Sequence, residues 1–137
     1  MNTALVAVAL VLSGSLSAQS TLKKEYVPLQ GTWDLVEVMG EKIERGELRV
    51  IFDGENYTMS ERGEPDERGH VTLDPSRKPM QIAMVIKTGR DAGKVLLGFI
   101  EVAGDKMRIV LNSPGDPRFP VLPSDEWLTL KRSKKTS

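Results

Sequence analysis

Between Trp33 and Leu130 the apolar positions recur every second residue. They run Trp33-Leu35, Leu48-Val50-Phe52, Tyr57-Met59, Val71-Leu73, Ile82-Met84-Ile86, Leu96-Gly98-Ile100-Val102, Met107-Ile109-Leu111 and Leu128-Leu130. The residues between them are largely polar, among them Arg49, Thr58, Thr72, Gln81, Glu101, Arg108 and Thr129. A period of two marks strands with one buried and one wet face. Asp53-Gly54, Gly63-Glu64-Pro65, Asp74-Pro75-Ser76, Thr88 to Gly93, Ala103-Gly104-Asp105 and Asn112 to Pro117 supply turn chemistry between the runs. The pattern predicts an all-β domain of about eight short antiparallel strands. At that number an up-and-down barrel closes around its own side chains or one small ligand. An open sandwich would show the same periodicity.

Two segments precede the strands. Ala4 to Leu12 is an unbroken apolar run followed by small residues through Ala18. Nine apolar residues are too few for a bilayer span, which needs roughly 20. They suit a signal peptide over 1–18, removed on export, although Met1-Asn2-Thr3 contributes no Lys or Arg. Residues 19–28 read as a linker or short helix that Pro28 ends. The barrel is expected over 29–132 and a disordered basic tail over 133–137.

Composition narrows the function classes. Nineteen basic and nineteen acidic residues cancel, which argues against nucleic acid, whose phosphates need a basic face. There is no Cys, so an exported fold gains nothing from disulfides and no lipid is attached through a thioether. A mature chain of about 119 residues suffices for one core. The expectation is a periplasmic or secreted monomer without stable membrane insertion after signal cleavage.

Gly31-Thr32-Trp33 at the first strand, with Lys131-Arg132 in the last, resembles lipocalin-like barrels. There the Trp plugs one end and a cation packs over the indole. The ordered set Leu29-Gln30-Gly31-Thr32-Trp33, Phe52-Asp53-Gly54, Leu73-Asp74-Pro75-Ser76, Gly93 to Gly98, Arg118-Phe119-Pro120 and Leu128 to Arg132 resembles a family of uncharacterised secreted bacterial domains. The resemblance spans roughly Leu29 to Arg132. It implies a lipocalin-like barrel with Trp33, Lys131 and Arg132 at its floor, and it brings no catalytic or binding residues.

Candidate chemistry is sparse. Inward parity groups Phe52, Met59, Met84, Ile100 and Met107, an adaptable apolar wall for a small guest or simply a filled core. His70, the single histidine, has outward parity; Glu67 and His70 together fall short of the three or four ligands of a tight metal site. No Gly-x-Ser-x-Gly elbow, Cys nucleophile or phosphate loop is present. Pairing Glu37 with Glu101 for acid–base work is arbitrary among many surface carboxylates. The reading is therefore a non-enzymatic lipocalin-like domain, without cofactor or metal, that binds a small apolar or amphipathic ligand. The alternatives are a scaffold or protein-interaction domain with a filled barrel and a carboxylate-based hydrolase or isomerase.

Overall fold

The computed structural model describes residues 22–133. The signal segment read at 1–18 and residues 134–137 of the basic tail lie outside the described residues. Among the described residues nine strands form: β1 Gly31–Val38, β2 Glu41–Lys42, β3 Leu48–Asp53, β4 Asn56–Glu61, β5 Glu67–Asp74, β6 Met80–Thr88, β7 Val95–Ala103, β8 Lys106–Leu111 and β9 Leu128–Arg132. From β3 to β9 each pairs with the next, and β9 pairs back onto β1. The result is a closed antiparallel eight-stranded barrel of lipocalin-like form. The open sandwich is thereby excluded. The ninth strand, β2, is a two-residue return onto the end of β1; Glu41–Lys42 carries no apolar alternation that could announce it.

Closure depends on β1, which pairs with β3 on one side and β9 on the other. Trp33 lies opposite Arg132 and Leu35 opposite Leu130, and a bulge between Leu35 and Glu37 shifts the register before Val38 meets Leu128. An extra residue on one strand bends it and sharpens its twist, which lets β1 serve both neighbours. Two strand glycines permit close approach elsewhere in the wall. A Cβ on Gly69 would fall 2.0 Å from the Val85 carbonyl oxygen, and one on Gly98 would fall 2.0 Å from that of Val110.

One end of the barrel is sealed. A 3-10 helix, Lys24–Leu29, packs there. Pro28 lies inside this helix and does not end it; the turn continues through the Gln30 N–H donating to the Val27 carbonyl at 3.2 Å. The Tyr26 hydroxyl donates to Val71 O and accepts from the Leu73 N–H, tying the helix to β5. Trp33, fully buried, donates its indole N–H to Leu29 O at 2.8 Å. The Arg132 guanidinium stacks over that indole, 4.3 Å from the ring centroid. It also donates to Gln30 O at 2.7 Å and to Asp105 Oδ1 at 2.9 Å. One side chain thus joins the helix–β1 junction to the β7–β8 turn. Lys131 takes no part in the floor. Strand alternation turns it outward, opposite Asp34, and it is exposed.

The 112–127 connection folds back on the outside of the barrel. Phe119 meets Phe99 with ring centroids 5.7 Å apart. Val110, the cross-strand neighbour of Phe99, is buried despite its outward parity. Trp127 is half-buried on the same outer surface, with Arg108 4.4 Å over its ring. Asp34, on the outer side of β1, is buried and held by Arg49 at 2.9 Å. Among the described residues no helix is long and apolar enough to cross a membrane.

These placements separate the two tryptophans energetically. Trp33→Ala should destabilise the fold by about 3–5 kcal/mol, as truncation of a fully buried Trp does. Trp127→Ala should cost about 1 kcal/mol, mainly a cation–π contact and partial burial. Denaturant unfolding of both variants checks this; equal losses would contradict the assignment of inner and outer faces.

Candidate functional site

Large side chains fill the floor half: Tyr26, Leu29, Trp33, Leu73, Ile82 and Ile100 are all buried there. The mouth half is emptier. A cavity of about 210 Å³ opens between β3, β4, β5, β6, β7, β8 and β9. Its deeper wall includes Phe52, Met84, Met107 and Leu130, and toward the mouth Leu48, Leu111 and Leu128 take over. Pro114, from the β8–β9 connection, completes the rim, where the Gly115 N–H donates to Val95 O at 3.0 Å.

Of the five pocket-lining candidates from the sequence, Phe52, Met59, Met84 and Met107 border this cavity. Ile100 does not. It is buried in the filled lower core, opposite Met80 in register, and on β7 Leu96 faces the space instead.

Among the described residues the lining holds one charged residue, Glu67. The sequence offers Glu67 only as a companion of His70. In the fold it begins β5, and alternation through Gly69, Val71 and Leu73 turns it inward. His70 faces the other way, with Nε2 3.7 Å from Glu55 Oε1. The two cannot share an ion, because they lie on opposite sides of the barrel wall. Among the described residues no cluster of three or more His, Asp and Glu side chains could hold a metal.

Glu67 is anchored by Tyr57, whose hydroxyl donates to Oε2 at 2.7 Å. Tyr57 is buried, and its ring lies over Gly69, where a Cβ would come within 2.7 Å of Cε1. Burial, and then the Glu67 carboxylate that its proton serves, push the Tyr57 phenol well above its ordinary pKa of 10.0. Among the described residues no other side chain hydrogen-bonds or ion-pairs with Glu67. The signal for both residues was parity counted back from Val71, which the polar run Glu61 to Arg68 obscures.

A depression of about 70 Å³ at the rim shares Met59 and Glu67 with the cavity. Its one cation, Arg90, is paired with Glu64. The connections at this end, 39–47, 62–66, 89–94 and 112–127, carry nine acidic and six basic residues, a net charge of −3. The described connections at the floor, 22–30, 54–55, 75–79 and 104–105, carry three and four, a net charge of +1. A chain that is neutral overall therefore has an acidic mouth.

The Glu37 and Glu101 pair is not assembled. The two lie in one cross-strand row, Glu37–Thr129–Arg108–Glu101. Three interstrand steps separate them by about 14 Å, beyond the roughly 5–9.5 Å of working carboxylate pairs. Glu101 is engaged by Arg108 at 2.9 Å. A second depression, of about 630 Å³, lies along 112–126; it is open to solvent, and one of its residues, Val121, is 84% exposed. Comparison with family models, curated proteins and solved structures finds no match for this chain.

The raised Tyr57 pKa fixes a pH dependence. The folded state keeps the phenol proton above about pH 10, where an unfolded chain releases it. The unfolded state then binds fewer protons, so this stabilisation is complete below about pH 10 and is lost as pH rises beyond it. Denaturant unfolding across this range should show a steeper alkaline loss for wild type than for Tyr57→Phe. Parallel curves would contradict a buried, proton-donating phenol.

Proposed function

We propose that the protein is an exported, non-enzymatic binding module that holds a small apolar or amphipathic molecule in the mouth half of its barrel. One observation carries this reading: an apolar space of about 210 Å³, reached from one end and floored by a filled core. An apolar cavity of about 150 Å³ takes up benzene, whereas drug-sized pockets run to about 300–1,000 Å³. The space suits a guest of one ring or a short alkyl chain. Met59, Met84 and Met107 in the wall favour adaptable packing, because thioether chains are unbranched and polarizable. Burying about 150 Å² of guest at about 25 cal/mol per Å² gives about 4 kcal/mol, a Kd of about 1 mM from the apolar body alone.

Kinship with the secreted bacterial lipocalin-like domains belongs to the same proposal and rests on the ordered motifs from Leu29 to Arg132. Export rests on the apolar run and small residues of 4–18. Intact-mass measurement of protein recovered outside the cytoplasm should show loss of about 17–20 N-terminal residues; retention of Met1 on that protein would overturn export.

A small environment-sensitive dye with a one- or two-ring apolar body should bind the folded protein saturably and one to one. Met84 is fully buried and borders the cavity. Met84→Trp should therefore abolish dye binding at little cost in stability. In a barrel without usable space the same change should destabilise by about 1–3 kcal/mol through overpacking. That loss, together with no dye binding by wild type, would replace the carrier reading with the filled scaffold.

A further inference from the structure

We infer that the guest is a small organic cation: a primary or secondary ammonium whose apolar body enters the cavity and whose N–H groups are received by Glu67. This deepens the carrier reading and rests on it. Among the described residues the carboxylate is the single charge bordering an otherwise apolar cavity of about 210 Å³. Tyr57 fixes its orientation by donating to Oε2, while Oε1 has no hydrogen-bond or ion-pair partner among the described residues. A carboxylate held this way offers an acceptor of fixed direction beside a low-dielectric space. Charge-assisted N–H bonds to such an acceptor are roughly twice as strong as neutral ones.

The surroundings agree in sign and in size. The mouth connections carry a net charge of −3 while the floor connections carry +1. A cation is therefore drawn to the end where the cavity opens and an anion is turned away. The rim depression of about 70 Å³ adjoins Glu67, which leaves room for a hydrated head group while the body is buried. Arg90, the cation nearest this depression, is committed to Glu64. An anionic guest would face Glu67 and the acidic rim, and the Tyr57 proton is already given to Glu67. A neutral alcohol would satisfy the acceptor but leave its charge uncompensated.

Toluene, benzyl alcohol and benzylamine share one shape and differ only in this group; benzylamine is protonated at neutral pH. Calorimetric or NMR titration of the full chain should show benzylamine binding at least about tenfold tighter than toluene, equivalent to about 1.4 kcal/mol, with benzyl alcohol between them. Added salt should weaken benzylamine and leave toluene unchanged. Glu67→Gln should bring benzylamine to within about threefold of toluene. If toluene binds and benzylamine binds no better, the cation assignment falls and the carrier reading stands. If none of the three binds, the carrier reading itself falls. The wild-type comparison decides between these outcomes even if Glu67→Gln fails to fold.

Discussion

The barrel is organised by the pairing of its first strand with its last and by the indole trapped where they meet. Trp33 lies between the Leu29 carbonyl that accepts its N–H and the Arg132 guanidinium stacked on its face. Closure leaves no long sheet edge free for another chain to extend. It also makes the two ends unequal. Arg132 ties β9 to the backbone at Gln30 and to Asp105 of the β7–β8 turn, and Tyr26 ties the 3-10 helix to β5. The floor is therefore filled and cross-linked by side chains in a protein without disulfides.

From that floor the interior changes character along the barrel axis. Bulky aromatic and branched side chains give way to Met59, Met84 and Met107, then to leucines at the rim. The apolar space of about 210 Å³ lies beyond this filled floor. The one charge bordering that space among the described residues, Glu67, depends on a missing side chain. Gly69 has no Cβ, so the Tyr57 ring lies against the strand and its hydroxyl reaches Glu67. Burial keeps the phenol protonated, and a protonated phenol can only orient the carboxylate, not neutralise it. The apolar space, the fixed acceptor and the acidic rim thus lie together at one end of the barrel.

Much of this architecture was legible in the period-two pattern. Inner faces of β3, β6 and β8 followed directly from Val50-Phe52, Ile82-Met84-Ile86 and Met107-Ile109-Leu111, because apolar residues recur there at every second position between turn residues, even though Ile51, Val85 and Val110 add apolar side chains of the other parity. Level along the axis was not legible. Ile100 shares its parity with Leu96, yet it lies lower on β7, and strand stagger rather than alternation decides which of them meets the space. Lys131 and Arg132 were equivalent by composition, and the parity of β9 separates them. Glu67 was hidden because a lone acid at the inner edge of a polar stretch looks like loop. The folding back of 112–127 through Phe119 was beyond a reading based on period, since its contacts with Phe99 are non-local.

The central claim is that the mouth half of the barrel is a guest chamber and the floor half is not. Methionine methyl NMR tests it directly, because the five methionines among the described residues sample distinct places. Met59, Met84 and Met107 border the cavity, Met80 packs near the floor, and Met39 is exposed in the β1–β2 turn. Titration with a small apolar guest such as toluene should move the resonances of Met59, Met84 and Met107 together, saturably, and leave Met39 unchanged. Resonances that stay fixed, or that drift equally at all five sites without saturation, would contradict the account.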